Sequence, residues 1–346
     1  MEIKTYPVNA LDSEPVFRVH PVLNDRFGRR FDYLRIALNE HCNLRCIYCM
    51  PERGIRFRSS SKLITTREII RIIQIASGLG VKKIRFTGGE PLLNPDLFRL
   101  VKAAVQDIGI ESVHITTNGL LLVGKIAQLK KAGLSGVNIS LDTLERKKYT
   151  LITRRDGLFQ VLEGLRAALR AKINVKINVV ALRGFNDSEI PAFVALTRQN
   201  PVTVRFIELM PFDAHQIWKT GKFYSQDHIV EDLHEHFPSL VPAEGTKTEQ
   251  KVFRLPGYCG KIAVIPSYSR DICSSCNRIR ITADGKIRNC LYATNEYDLR
   301  AQMHNGGTDV DLVALLKKAM WNKPEDGWSA QSKGTPLRES MTQIGG

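Results

Sequence analysis

The feature that most restricts the fold is an alternation of two hydrophobic periods. Short apolar runs rich in β-branched residues occupy positions 33–38, 83–87, 113–116, 137–141, 175–180 and 204–209. Runs of this kind read as strands. Between them lie helical patterns at 65–79, 95–106, 122–132, 158–171 and 187–198. Thr65, Thr66, Arg67 and Glu68 make a helix start, and Gly80 follows the end. Strand alternating with helix implies a parallel sheet with helical crossovers. Six such units predict an α/β fold, an open and partial (β/α)6 version of the TIM-like barrel. Positions 238–250 are polar and punctuated by Pro and Gly, so they read as a connector. Beyond it, 251–266 and 278–292 look like short strands, the latter turning at Asp284-Gly285. The expected organisation is a barrel over 1–237 and a small C-terminal domain over 238–346.

The 346 residues are 43% hydrophobic, enough for one large domain or a domain plus a smaller one. No apolar run approaches the roughly 20 residues of a membrane span. Positions 1–21 lack an apolar core behind basic residues and carry Glu2, Asp12 and Glu14, which argues against a signal or transit peptide. The expectation is a soluble, cytoplasmic protein with no membrane partner. The net charge is +15. A basic surface for nucleic acid is one reading, but no zinc finger, RNA-recognition or helix-turn-helix signature supports it. A highly anionic small substrate accounts for the excess equally well.

Seven cysteines fall into groups. In a cytosolic setting such groups mean metal rather than disulfides. Cys42, Cys46 and Cys49 stand at Cys-x3-Cys-x2-Cys, with the aromatic Tyr48 before the last. Three thiolates hold three irons of a [4Fe–4S] cube and leave the fourth iron open to a ligand. Structural zinc is the weaker reading, because it wants four ligands in closed geometry. Several expected strands also end in polar residues: Thr87-Gly88-Gly89-Glu90-Pro91, Thr116-Thr117-Asn118-Gly119, Ser140-Leu141-Asp142 and Glu208-Leu209-Met210. In a barrel these ends converge on one face, where active sites lie. Gly-Gly after a strand is by itself a turn, and Met210 by itself is as much a core filler as a ligand contact.

The first cysteine motif resembles that of the radical S-adenosylmethionine (SAM) superfamily. That resemblance implies an open iron that chelates the amino and carboxylate groups of SAM and an electron that cleaves it to a 5′-deoxyadenosyl radical. It also implies that Tyr48, Gly88, Gly89, Glu90, Ser140 and Met210 bind this cofactor, with Ser140 near the carboxylate and Met210 flanking adenine.

A second group follows: Cys273-x2-Cys276, then Cys290, with Arg278 and Arg280 directly behind Cys276. Its spacing alone also allows a zinc site with Cys259 as fourth ligand. Cys259 is otherwise expected to be an ordinary buried thiol. With this group the chain resembles the GTP 3′,8-cyclase family of molybdenum cofactor biosynthesis, from about Leu34 to Gly346. The resemblance runs through Met50-Pro51, Arg85-Phe-Thr-Gly-Gly-Glu-Pro, Thr116-Thr-Asn-Gly-Leu, Asn138-Ile-Ser-Leu-Asp, Ile152-Thr-Arg-Arg-Asp, Arg205-Phe-Ile-Glu-Leu-Met-Pro and Gly345-Gly346. Phe86 and Ala37 replace the more usual aliphatic and serine.

This resemblance implies two [4Fe–4S] clusters, one at each cysteine trio. It implies cyclisation of GTP to (8S)-3′,8-cyclo-7,8-dihydroguanosine 5′-triphosphate. GTP would be held by Arg35, Arg85, Thr116, Lys176, Arg278, Ile279 and Arg280, with Arg35, Arg278 and Arg280 also catalytic. It further implies a flavodoxin- or ferredoxin-like electron donor, a product passed to cyclic pyranopterin monophosphate synthase, and a homodimer. No Walker-type loop is present, so the nucleotide is not bound as in a GTPase. Gly345 and Gly346, lacking side chains, are expected to thread a narrow channel, with Arg35 as one candidate partner of the terminal carboxylate.

Overall fold

A strand in a parallel sheet usually reads as an unbroken apolar run, because helices cover it. The strands of this chain instead carry a charged or polar residue at every second position, and the fold shows why. The computed structural model describes residues 22–210, 220–245, 251–269, 272–331, 338 and 340–345. Positions 1–21, part of the expected connector and Gly346 lie outside the described residues.

The first half contains β1 (Tyr33–Ala37), α1 (Thr66–Gly78), β2 (Lys83–Thr87), α2 (Leu97–Lys102), β3 (Ser112–Thr117), α3 (Ile126–Lys131), β4 (Gly136–Ser140), α4 (Arg146–Thr153), α5 (Leu158–Arg170), β5 (Asn174–Ala181), α6 (Ile190–Ala195) and β6 (Val202–Glu208). Then come α7 (Gln226–His236), β7 (Val241–Pro242), β8 (Lys251–Arg254), β9 (Lys261–Ile265), β10 (Arg278–Ile281), β11 (Lys286–Arg288), β12 (Tyr297–Asp298), α8 (Leu299–His304), α9 (Asp309–Trp321) and α10 (Gly327–Gln331).

The expected helices form with altered ends. Thr65 caps α1, and Glu68 completes a capping box, as its sequence requires. The helix expected over 95–106 is α2 followed by one wide π turn over Ala103–Asp107. That expected over 187–198 is a 3-10 turn, Asp187–Glu189, leading into α6, where Pro191 lies in the first turn and lacks an N–H to donate. α3 is shorter than its pattern, because the chain turns at Gly119 and Leu122 before entering it.

All strands join one sheet in the order β12-β11-β10-β1-β2-β3-β4-β5-β6-β9-β8-β7. The strands β1 to β6 are mutually parallel, as expected. The later part of the chain then adds β10 parallel to β1 and β9 parallel to β6. These additions satisfy backbone groups that β1 and β6 would otherwise expose as edges. Short antiparallel strands finish each side.

One face of this curved sheet packs on helices. Leu34, Ile36, Ile84, Phe86, Val137, Ile139, Val175, Ile177, Val204, Ile279 and Ile281 are all buried there in the main apolar core. The period of 2 sends their neighbours to the other side, into the lumen. That side is polar, and it builds the site.

Candidate functional site

Arg35 on β1 lies beside Arg85 on β2 and Arg280 on β10, because the register pairs their Cα atoms. Tyr33 lies in the same way beside Lys83 and Arg278. With Lys176 from β5 and Arg205 from β6, these cations line a cavity of about 300 Å³. Asn138, fully buried on β4, sits between two of them. With its carbonyl turned inward it accepts from Arg205 Nη2 at 2.6 Å and Arg85 Nη1 at 2.5 Å. Arg205 also donates to Asn178.

Such a set of buried cations suits an anionic ligand. Arg35 Nε, Arg278 Nε and Thr116 Oγ1 are buried with no hydrogen-bond partner. Groups of that kind are expensive unless something completes them. Burial, and then repulsion from Arg35 and Arg278, hold Arg280 well below its ordinary value. Burial, Arg85, Lys83, Lys176 and Arg205 push His114 down to about 3, so it is neutral. Burial alone would raise Tyr33, but Arg35, Arg85 and Lys83 outweigh it and bring the phenol down to about 7.

The loops at the C-terminal ends of the strands hold the first cysteine group. Cys42, Cys46 and Cys49 all line the cavity. Gly88 and Gly89 line it too, and their lack of side chains has a local cause. A Cβ on Gly88 would lie 2.4 Å from the Asn39 carbonyl, and one on Gly89 would lie 2.1 Å from the His41 carbonyl. The two glycines therefore let this loop pair with the chain leading into Cys42. Gly89 N donates to Asn39 O at 2.9 Å and Glu90 N to His41 O at 2.8 Å.

Glu90 is placed differently from its expected role. Its carboxylate is buried and accepts from Leu92 N, Thr117 Oγ1 and Asn118 N, so it braces loops rather than facing the cavity. Burial raises it to about 7 against those hydrogen bonds. Tyr48 donates to Asp142 at 2.6 Å, which fixes its ring beside the cysteines. Ser140 and Met210 line the same cavity.

Arg154 was singled out only as part of a motif. It ends α4 in the left-handed region and donates to the carbonyls of Arg45 at 3.2 Å and Met50 at 3.0 Å. It thereby clamps both sides of the cysteine loop.

Cys273, Cys276 and Cys290 line an adjoining space. Arg278, Arg280, Met210, Ser267 and Leu291 border both. The parallel run ends at β9 on one side and β10 on the other. Ser267 follows β9 and the two arginines lie on β10, so the second group faces the lumen between these strands. Burial would raise Cys276, but Lys323 and Arg278 lower it to about 6. Burial raises Cys273. In the first group, burial followed by the charge of Cys42 takes Cys49 up to about 12, and burial followed by Cys49 and Asp142 raises Cys46 well above its usual value.

Each trio offers the three thiolate donors that an iron–sulfur cube takes. Each thiolate of a cube holds its own iron, whereas ligands of one zinc must all converge to about 2.3 Å from it. Among the described residues no three metal-binding side chains converge on a single ion. Cys259 is exposed, not the buried thiol that was expected, because it lies at a turn before β9. It does not border the space beside Cys273, so it does not complete a zinc site there.

The C-terminal segment enters the cavity, as its glycines suggest. Gly345 has φ +73°, and a Cβ there would lie 2.9 Å from Ala37 Cβ and 2.8 Å from Thr87 Oγ1. Its carbonyl accepts from Arg280 Nη1 at 3.1 Å, and the terminal carboxylate expected near Arg35 belongs to Gly346, outside the described residues. Ser340 donates to the Cys49 carbonyl at 2.8 Å. Met341 and Thr342 line the cavity.

Arg35, Arg85, Thr116, Lys176, Arg278 and Arg280 are thus brought together. The Ile279 side chain is not, since it faces the apolar core and only its backbone lies near. Tyr33, Lys83 and Asn178 escaped the sequence reading, and Asn138 and Arg205 entered it only as the first residues of motifs. Their signal was a polar residue two positions from another within an apolar strand.

The Radical SAM superfamily matches residues 36–197, and the Molybdenum Cofactor Synthesis C family matches residues 202–328. A protein of Chlorobaculum tepidum named GTP 3′,8-cyclase is 47% identical over 326 residues, covering 94% of this chain and 97% of its own. One of the same name from Pelotomaculum thermopropionicum is 39% identical, covering 94% of this chain and all of its own. Human molybdenum cofactor biosynthesis protein 1 is 42% identical over 304 residues, and the chain spans about half its length (48%). Among solved structures, Streptococcus suis SuiB shares the fold at a TM-score of 0.58 and 16% identity, covering 88% of this chain and 68% of its own.

Proposed function

The chain belongs to the GTP 3′,8-cyclase family within the radical SAM superfamily, and from that premise we propose how its residues perform the reaction. It is a radical SAM enzyme of molybdenum cofactor biosynthesis that cyclises GTP to (8S)-3′,8-cyclo-7,8-dihydroguanosine 5′-triphosphate, the first step of that route. The observation that carries this reading is the cation-lined lumen faced by both cysteine trios. GTP brings about four negative charges, and guanidinium forks suit phosphate oxygens.

Cys42, Cys46 and Cys49 would hold an iron–sulfur cube, which would supply the electron for SAM cleavage. Gly88, Gly89, Ser140, Met210 and Tyr48, which line the cavity, would bind and orient SAM. Arg35, Arg85 and Lys176 hold GTP, and Thr116 offers its unsatisfied hydroxyl. Holding the ribose against the radical source is a matter of position, and small misplacements are costly. The tail, whose Met341 and Thr342 line the lumen, helps keep water from a reactive carbon radical.

The finer assignments are part of the proposal. A second cube at Cys273, Cys276 and Cys290 is supported by the trio and by the cations that favour the Cys276 thiolate. Arg278 and Arg280 would orient the guanine end beside it. The electron donor, the homodimer and the downstream synthase rest on the family resemblance, and the cytoplasmic setting rests on the sequence. The division at 237/238 rests on the polar connector that begins at Pro238, and it falls after the β1–β6 run. No helix among the described residues is long and apolar enough to cross a membrane.

The test is anaerobic incubation of iron-loaded enzyme with GTP, SAM and a chemical reductant, read by mass spectrometry. Cyclised nucleotide together with 5′-deoxyadenosine is expected. Deoxyadenosine formed equally with and without GTP, and no change in GTP, would refute the reading.

A further inference from the structure

We propose that Arg338 is a positioning residue that clasps the C-terminal segment to the loops of both cysteine groups and thereby couples SAM cleavage to cyclisation. The proposal rests on the cyclase reading above. Arg338 is buried, and its guanidinium meets two carboxylates. Nε donates to Glu296 Oε1 at 2.9 Å, and Nη2 donates to Glu296 Oε2 at 2.6 Å. The same Nη2 reaches Asp284 at 3.0 and 3.1 Å.

Each carboxylate leads to one cysteine loop. Asp284 pairs with Arg58 at 3.8 Å, and Arg58 pairs with buried Glu40, just before Cys42. The backbone N–H of Arg58 also donates to Glu40 at 3.0 Å. Glu296 pairs with Arg288 at 3.2 Å. Arg288 in turn donates to the Leu291 carbonyl at 3.3 Å, directly after Cys290. The chain Glu40–Arg58–Asp284–Arg338–Glu296–Arg288 alternates in sign throughout.

On its other side Arg338 precedes Ser340, which bonds the Cys49 carbonyl, and Gly345, which Arg280 holds. Ile344 is the one buried apolar side chain among the described tail residues. A buried ionic hub is a poor source of bulk stability compared with apolar packing. It is well suited to fixing one arrangement, because each member is costly unless all partners are present. The three segments it joins are the two cysteine loops and the tail between them.

Three variants test this: Arg338→Ala, Arg338→Lys and the double neutral variant Asp284→Asn, Glu296→Gln. Arg338→Ala is expected to retain iron and deoxyadenosine formation, while cyclised GTP per deoxyadenosine falls about ten- to a hundredfold. Arg338→Lys should recover part of that ratio, since it keeps the charge but not the fork. The double variant should lose it like the alanine, which covers the case that Arg338→Ala does not fold. Hydrogen exchange at residues 340–345 should quicken in step with the lost ratio. Wild-type cyclisation with an unchanged ratio and unchanged exchange in the variants overturns the clasp alone. Wild-type enzyme that forms deoxyadenosine but no cyclised GTP overturns the cyclase reading and the coupling together.

Discussion

At individual residues, burial and neighbouring charge together decide which groups ionise. Tyr33 is the clearest case. Its folded value of about 7 lies below the ordinary one near 10 because Arg35, Arg85 and Lys83 outweigh its burial. A depressed acid stabilises the fold fully above its unfolded value, and that contribution is lost as pH falls through the folded value. The window is therefore from about pH 10 down to about 7. Tyr48, Tyr149 and Tyr224 are all shifted upward, so they stay silent in that window. Iron-free enzyme should show a phenolate absorbance step near pH 7 that Tyr33→Phe removes. Added GTP should move the step upward by neutralising the cations. A step unchanged in Tyr33→Phe would place the phenolate elsewhere.

The cysteines make a second prediction at this scale. Serine at Cys42, Cys46 or Cys49 should abolish deoxyadenosine formation, because each thiolate holds one iron. Serine at Cys273, Cys276 or Cys290 should leave uncoupled SAM cleavage but stop cyclisation. Measuring both products in each variant separates the roles, and normal cyclisation by the second set would make that trio structural. Cys259→Ser should keep both clusters, since Cys259 is exposed and apart from them.

Elements matter where one loop must lie on another. The β2 loop can reach the cysteine loop only because positions 88 and 89 lack side chains. Gly89→Ala forces a Cβ to within 2.1 Å of the His41 carbonyl, a backbone atom that cannot step aside. The expected cost is about 3 kcal/mol or more, by analogy with overpacking. Urea unfolding and iron content of the variant should both report it. The end of α4 works from the opposite side. Arg154→Ala removes two charged hydrogen bonds to the cysteine loop, each worth about 1.5–3 kcal/mol. Chelator should then strip iron from the first group faster than from the second. Equal rates would mean that the clamp is not felt by the cluster.

At the scale of the whole molecule, the last residues return to the first strand. Gly345 sits against Ala37 and Thr87 with its carbonyl on Arg280. Deleting Gly345 and Gly346 should leave iron and GTP binding largely intact while cyclisation falls strongly. Full turnover by the shortened chain would show the docked tail to be incidental.

Much of this was legible along the chain because it depends on near neighbours. The strand and helix periods, the α1 capping box and the two cysteine spacings are local, and local sterics and hydrogen bonding decide them. Charges on Arg35 and Lys176 within apolar strands also pointed inward, since an unpaired charge is not tolerated in a core. What lay beyond local reading was which distant segments pair. β10 beside β1 sets Arg280 next to Arg35, and β9 beside β6 completes the wall. Asn138 and Arg205 gain meaning only once their strands are adjacent. Arg338 and Ser340 are an ordinary basic and an ordinary polar residue until the chain folds back onto Glu296 and Cys49. Strand partners and chain crossings are chosen by the burial and hydrogen-bond satisfaction of the entire sheet, a sum over residues far apart in sequence that no single stretch contains.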